Sequence, residues 1–256
     1  MPKHNVSRTM STQHPDNVHA PFFSDSHELS GEDEIKEVFY SFSHIHSKEQ
    51  LWDCEGKEVD NFVVKKLLSK YEPYFRKHKL GKDVALTLRV PNPSVEKNEA
   101  KVLLETLESI PRNFDAAKLF YGEDIAPIFE ISLPMTTNSQ ELIRIAEYYK
   151  KHVVGKQHHK IGNGVTIAEW IGHFKPEQLR IIPLIEDKES ILDAENIVDG
   201  TFAELTIVAG GEIHSVHTAN FDLKEFDEII RIMNEAVPKE YQLHYDALEL
   251  SPKSGL

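Results

Sequence analysis

Hydrophobic positions recur along most of the chain in two alternating rhythms. Between residues 84 and 90, Val84, Leu86, Leu88 and Val90 fall on one side while Ala85, Thr87 and Arg89 fall on the other. That period of two predicts a strand. The same period sets Leu51, Asp53 and Glu55 against Trp52 and Cys54, and sets Phe129, Ile131 and Leu133 against Glu130 and Ser132. It returns over 180–186, where Ile182, Leu184 and Glu186 share a face. Between these runs the spacing is helical. It places Ile35, Val38, Phe39 and Phe42 together, then Phe62, Val63, Leu67, Leu68 and Tyr71, then Leu103, Leu104, Leu107 and Ile110, then Leu142, Ile143, Ala146 and Tyr149. Helices are therefore predicted over 35–42, 61–74, 98–110, 139–153 and 190–198, with capping residues at Asn138, Ser139 and Glu141 for the fourth. With a strand end expected within residues 9–17, five strand–helix units follow one another. They predict an α/β fold with a parallel sheet and right-handed crossovers.

The rhythm changes near residue 199. Runs at 201–209 and 212–219 are separated only by Gly210-Gly211, which predicts a hairpin, because parallel strands need a crossover of about a dozen residues or more. A helix over 223–237, opened by Asp222 and Glu225, and a last strand over 242–250 complete an α+β segment. The expected division is thus 1–199 and 200–256. The connection 154–178 is longer than most and carries His158, His159, Gly162, Gly164, Trp170 and Gly172, which suggests a partly helical lid or cover.

Composition narrows the function. The 256 residues, 40% hydrophobic, suffice for one barrel or two small domains. Twenty-nine basic against 42 acidic residues give a formal charge of −13, which disfavours nucleic acid and anionic lipid as general partners. Cys54 is the single cysteine, so an intrachain disulfide and a thiolate zinc cluster are both excluded. The sequence has no apolar run of membrane-spanning length and opens without an apolar leader pattern, so a soluble cytoplasmic protein is expected.

Candidate chemistry gathers at predicted strand ends. Residues 9–17 pack Thr9, Ser11, Thr12, Gln13, His14, Asp16 and Asn17 into one short stretch, a density that belongs where ligand or water can satisfy it. Asp53 and Glu55 on one strand face repel each other unless a cation, a proton or an arginine lies between them. Arg89 ends its strand on the less apolar face, where its planar fork suits a carboxylate or phosphate, or an internal pair with Asp53 or Glu55. Glu186 is placed alike. The isolated pairs His44/His46 and His158/His159 read more simply as surface or core histidines than as metal ligands.

Met10-Ser11-Thr12-Gln13-His14-Pro15-Asp16-Asn17 resembles the N-terminal signature of the archaeal-type phosphoenolpyruvate carboxylases. Four further segments, at 51–57, 88–93, 127–136 and 180–187, are similar to that family in order and wording, so the resemblance covers about residues 8–198. It implies a TIM-type (β/α) barrel, the later strands of which have no evident counterpart here. It also implies an enzyme that joins phosphoenolpyruvate to bicarbonate, giving oxaloacetate and phosphate by way of carboxyphosphate and the enolate of pyruvate. On that resemblance Mg²⁺ or Mn²⁺ is the expected cofactor and Glu186 its ligand. His14 is expected to move a proton, Arg89 to act in catalysis and to bind substrate, and Gln13, Asn17, Asp53 and Glu55 to shape the substrate site. A homo-oligomer is the expected assembly. The alternatives are a metal-dependent carbon–carbon lyase of citrate-lyase or aldolase type, which shares an early acidic pair, an arginine and a later glutamate, and a non-catalytic partial barrel serving as an interaction subunit.

Overall fold

The computed structural model describes residues 10–11, 19–54, 61–194 and 197, and the backbone of 204–209 and 212–217. Five strands form one parallel sheet: β1 (Met10–Ser11), β2 (Glu49–Asp53), β3 (Ala85–Arg89), β4 (Glu130–Leu133) and, after a short antiparallel pair β5 (Lys160–Ile161) and β6 (Val165–Thr166), β7 (Arg180–Pro183). Their order in the sheet is β1-β2-β3-β4-β7, so each strand lies beside its predecessor in the repeating series, as the succession of strand–helix units predicts. The sheet is open among the described residues. Its edges are β1 and β7, and five strands do not close a barrel of the eight-stranded kind.

The two strand faces have different tasks. Trp52, Cys54, Leu86, Leu88, Val90, Ile131, Leu133 and Ile181 join one buried cluster with Ile35, Val38 and Phe42 of α1 (Glu32–Ser43), Val64 and Leu67 of α2 (Val63–Lys70), Leu107 and Ile110 of α4 (Ala100–Tyr121), and Leu142 and Ile145 of α5 (Ser139–Tyr148). Among the described residues, the helices of this cluster lie on that face. The other face carries Glu49, Leu51 and Asp53, then Ala85, Thr87 and Arg89, then Glu130 and Ser132, then Arg180 and Ile182. Register aligns Asp53 with Arg89, Arg89 with Ser132 and Glu130 with Arg180.

Three helical boundaries differ from those predicted. The helix expected over 61–74 is two, α2 and α3 (Glu72–Phe75), broken at Tyr71 with φ −122° and ψ 37°; Pro73 then fits the first turn of α3, where its missing N–H costs nothing. The helix expected to stop at Ile110 runs to Tyr121, straight through Pro111. Burial of Ile110, Pro111, Phe114 and Ala117 outweighs the missing N–H, and Ser109 Oγ donates to the Thr106 carbonyl (2.7 Å) while Asn113 Nδ2 donates to the Ser109 carbonyl (3.2 Å), tying the disturbed turn. After α5, Tyr149–Val154 continue as a π-helix.

The connection expected to be partly helical is so. It holds β5 and β6 and a short helix α6 (Ile167–Ile171), opened by a reciprocal Thr166/Glu169 cap. After α7 (Lys188–Leu192), β8 (Glu204–Ala209) and β9 (Glu212–His217) pair antiparallel across the diglycine, as predicted. The helix and strand expected beyond them lie outside the described residues.

Candidate functional site

Arg89 and Asp53 are the last residues of neighbouring strands, and the parallel register brings them level. Arg89 Nη1 donates to Asp53 Oδ1 at 3.1 Å. Its Nη2 lies 3.5 Å from Glu96 Oε1, a residue the strand pattern does not single out. The Arg89, Asp53 and Glu96 side chains are 20%, 17% and 9% exposed, so the group is largely shielded from solvent.

Glu96 sits there because the β3–α4 loop folds back on itself. Its Oε2 accepts the Asn92 N–H at 2.6 Å, and the Asn92 carbonyl accepts from the Val95 and Glu96 amides at 3.0 and 2.7 Å. Asn92 is wholly buried. Its Oδ1 accepts from the Ser94 amide (2.9 Å), and its Nδ2 donates to the carbonyls of Pro134 (2.9 Å) and Met135 (3.2 Å) in the next strand–helix loop. Met135 has a left-handed φ of 49°, uncommon for a residue with a side chain, and its amide points to Glu186 Oε1 at 3.4 Å. Glu186 is exposed beyond β7. A continuous set of contacts therefore runs from Asp53 through Arg89, Glu96, Asn92 and Met135 to Glu186, across three loops at one end of the sheet. Ser132, level with Arg89, is buried, and its hydroxyl has no partner among the described residues.

At the opposite end of the same face lies a second charged group. Thr87 Oγ1 is 2.5 Å from Glu49 Oε1 and 3.1 Å from Glu130 Oε1, and Arg180 Nη2 is 3.2 Å from Glu130 Oε2. A threonine hydroxyl has one proton to give, so both contacts are hydrogen bonds only if one carboxyl is protonated. Burial, then the neighbouring Glu49, push the Glu130 carboxyl well up, with Arg180 acting against them. A cavity of about 690 Å³ opens near this end, lined in part by Phe114, Phe129, Lys175 and Arg180, away from Asp53 and Glu186.

Of the residues chosen from sequence, the structure brings Arg89 and Asp53 into direct contact and joins Glu186 to them through the loop contacts. Gln13, His14, Asn17 and Glu55 lie outside the described residues. Cys54 is buried, and its thiol is pushed up to about 12 by burial, which removes it as a nucleophile near neutral pH. The His44 ring rests edge-on against Tyr40 and 2.7 Å from Ser43 Oγ, as a surface histidine would. No group of three or more metal-ligating side chains is found among the described residues. Sequence reasoning missed Glu96 and Asn92. The available signal was an asparagine between two prolines with a glutamate four positions on, the spacing of a loop closed on its own amides.

The chain is also similar to known proteins. A family model described as phosphoenolpyruvate carboxylase matches residues 6–210. A protein named phosphoenolpyruvate carboxylase from Methanothermobacter thermautotrophicus is 61% identical over 192 residues, 75% of this chain and 40% of that protein. Those of Methanospirillum hungatei and Pyrococcus furiosus, with the same name, are 58% and 56% identical over 200 and 194 residues, 78% and 76% of this chain and 41% of each relative. The chain spans about two fifths of the length of the curated relatives it matches.

Proposed function

Because this chain belongs to the phosphoenolpyruvate carboxylase family, we propose that its sheet presents part of a site that joins phosphoenolpyruvate to bicarbonate, releasing oxaloacetate and phosphate. One observation carries this reading: an arginine fixed between two carboxylates at the C-terminal ends of parallel strands, where α/β enzymes place their chemistry, with Glu186 tied to the same loops. Arg89 binds the carboxylate or phosphate of phosphoenolpyruvate. Asp53 holds the guanidinium plane and, with Glu55, shapes the substrate pocket. Gln13 and Asn17 supply hydrogen bonds at the rim, and His14 moves the proton when bicarbonate has been phosphorylated.

The rim suits a hard divalent cation. Asp53, Glu96 and Glu186 outnumber Arg89 three to one in charge, and the single long contact at Glu186 leaves it open to further bonding. Mg²⁺ keeps several waters and takes one or two carboxylates plus substrate oxygens, so Glu186 alone meets the protein's share. When bound, Mg²⁺ or Mn²⁺ supplies positive charge to the phosphate and enolate oxygens.

In this reading β1, β2, β3, β4 and β7 are the first five strands of a TIM-type barrel, 1–199 is its N-terminal part, and 200–256 is a separate α+β segment. The all-parallel order and the largely polar inner face support it. A homo-oligomer is supported by the 149–168 region, which has four lysines, three histidines and no acidic residue in an otherwise acidic chain, and which leads into the exposed Trp170 and Ile171. A cytoplasmic location fits the single buried, free Cys54, and no helix among the described residues is long and apolar enough to cross a membrane.

The test is oxaloacetate formation from phosphoenolpyruvate and bicarbonate with Mg²⁺, coupled to NADH oxidation through malate dehydrogenase. Expected is activity that falls at least about a hundredfold in Arg89→Ala and in Glu186→Ala. Folded protein that makes no oxaloacetate would overturn the proposal for this chain alone, and full activity in both variants would overturn the residue assignments.

A further inference from the structure

A second cavity, of about 200 Å³, lies between α4 and α5 and is bordered by the loop that follows β3. Leu103 and Leu107 of α4, Leu133 of β4 and Ile145 of α5 line its buried side, and each is at most 5% exposed. Ser94, Leu104 and Arg144 line it where it meets solvent. Its two buried polar residues are already bonded: Glu141 Oε2 accepts the Thr137 N–H (3.1 Å), and the Asn92 side chain is engaged through both its oxygen and its nitrogen. The cavity thus has an apolar floor and a cation at its mouth.

Arg144 sets the cavity apart. Among the described residues Arg76, Arg89 and Arg180 pair with carboxylates and Arg112 donates to the Asn61 carbonyl, whereas Arg144 makes no such contact. The carboxylates three residues to either side of it are engaged elsewhere, Glu141 at Thr137 and Glu147 with Lys151 (3.0 Å). In a chain of formal charge −13, a guanidinium without an internal partner is open to an external anion. A bare anion would leave the leucine floor uncovered, and a neutral hydrocarbon would leave Arg144 unused.

We propose that this cavity binds a short aliphatic monocarboxylate, its carboxylate against the Arg144 guanidinium and its chain among Leu103, Leu107, Leu133 and Ile145. The volume sets the length: about 200 Å³ holds about six or seven groups of about 30 Å³ each, which is a chain of about four to six carbons with its carboxylate. The site is separate from the one proposed for phosphoenolpyruvate and does not depend on it. The two share a wall, since Asn92 lines the cavity while its side chain holds the Pro134 and Met135 carbonyls.

Titration of the full chain with sodium hexanoate at constant ionic strength, followed by methyl ¹H–¹³C NMR, tests this. The Ile145 signal is identified by its loss in Ile145→Val. It should shift saturably with a Kd of about 1 mM, the range for so small a ligand. Butyrate should bind about tenfold more weakly, at about three- to fourfold per methylene. Arg144→Gln changes an exposed side chain, so folding is kept; it should weaken hexanoate about five- to tenfold and leave hexanol unchanged. Absence of a saturable shift would overturn the proposal, as would hexanoate binding that ignores Arg144→Gln. Equal affinity of the wild type for hexanoate and hexanol would overturn the carboxylate assignment, and steady tightening from hexanoate to decanoate would overturn the bounded cavity.

Discussion

The inner face of the sheet has a charged group at each end, built from the same parts in the same ratio. At the C-terminal end two carboxylates, Asp53 and Glu96, flank Arg89; at the N-terminal end two carboxylates, Glu49 and Glu130, share Thr87 with Arg180 alongside. Burial separates some of their carboxylates, while the two arginines are alike at 15% (Arg180) and 20% (Arg89) exposed in their side chains. Glu49 and Glu130 are only 5% and 6% exposed, whereas Asp53 and Arg89 are 17% and 20% exposed in their side chains and Glu186 stands in solvent. Where the carboxylates are buried, burial and the neighbouring Glu49 push the Glu130 carboxyl up and so favour its protonated form. Where water and ligands can enter, the excess negative charge is left for them. Sequence composition at the two ends is nearly identical, so access is what distinguishes the end proposed for chemistry from the end that holds the strands together.

The largest expected effect tests that contrast in stability. Arg180→Met leaves the buried pair with one negative charge and no cation, and should cost about 3–5 kcal/mol, the range for breaking a buried ion pair from one side. Arg89→Met at the open end should cost only about 1–2 kcal/mol, since water can approach the carboxylates left behind. Urea unfolding of both variants at pH 7 measures the two. Equal costs would mean that burial does not distinguish the ends, and the comparison would fail.

A smaller effect follows from the proton at the closed end. Glu130 has an ordinary value of 4.5 and is pushed up to about 8, first by burial and then by Glu49, against the pull of Arg180. The folded chain therefore binds more protons than the unfolded one between these values. Stability from this group is complete below about pH 4.5 and is lost as pH rises through about 8. The facing groups are Glu49 from β2, Thr87 from β3 and Arg180 from β7. In Glu130→Gln that fall should flatten, so the difference between wild-type and variant unfolding free energies should slope across the window. Parallel curves would show that no proton is shared there.

How much of this was legible in the sequence depended on distance along the chain. The strand faces of Arg89, Asp53 and Glu130 followed from alternation alone, because a period of two fixes which side chains are neighbours whatever the sheet does elsewhere. Glu49 was missed because Glu49-Gln50 reads as loop, and only pairing with β3 draws these residues into the sheet. Arg180 was placed on a strand, but its contact with Glu130 crosses the whole π-helical and hairpin connection, which no local pattern encodes. Pro91-Asn92-Pro93 follows the end of β3. That Asn92 then binds the next loop and brings Glu96 to Arg89 is a tertiary fact. The passage of α4 through Pro111 is of the same kind, since burial on one face overrode a strong local stop.

The smallest expected effect concerns Ser132, which lies level with Arg89 at the open end. Its neighbours in register are Arg89 and Ile182, it is 1% exposed, and its hydroxyl finds no partner among the described residues. A buried hydroxyl without a partner is destabilising, so Ser132→Ala should leave folding within about 0.5 kcal/mol of the wild type or slightly improve it. Beside an anion-binding Arg89 the same hydroxyl can donate to a substrate oxygen. Phosphoenolpyruvate affinity, read by titration calorimetry, should then fall about three- to tenfold, the worth of one neutral hydrogen bond. Loss of stability with unchanged affinity would assign Ser132 to the closed end with Thr87. Loss of affinity with stability intact would assign Ser132 to the open end beside Arg89, with the boundary between it and Thr87.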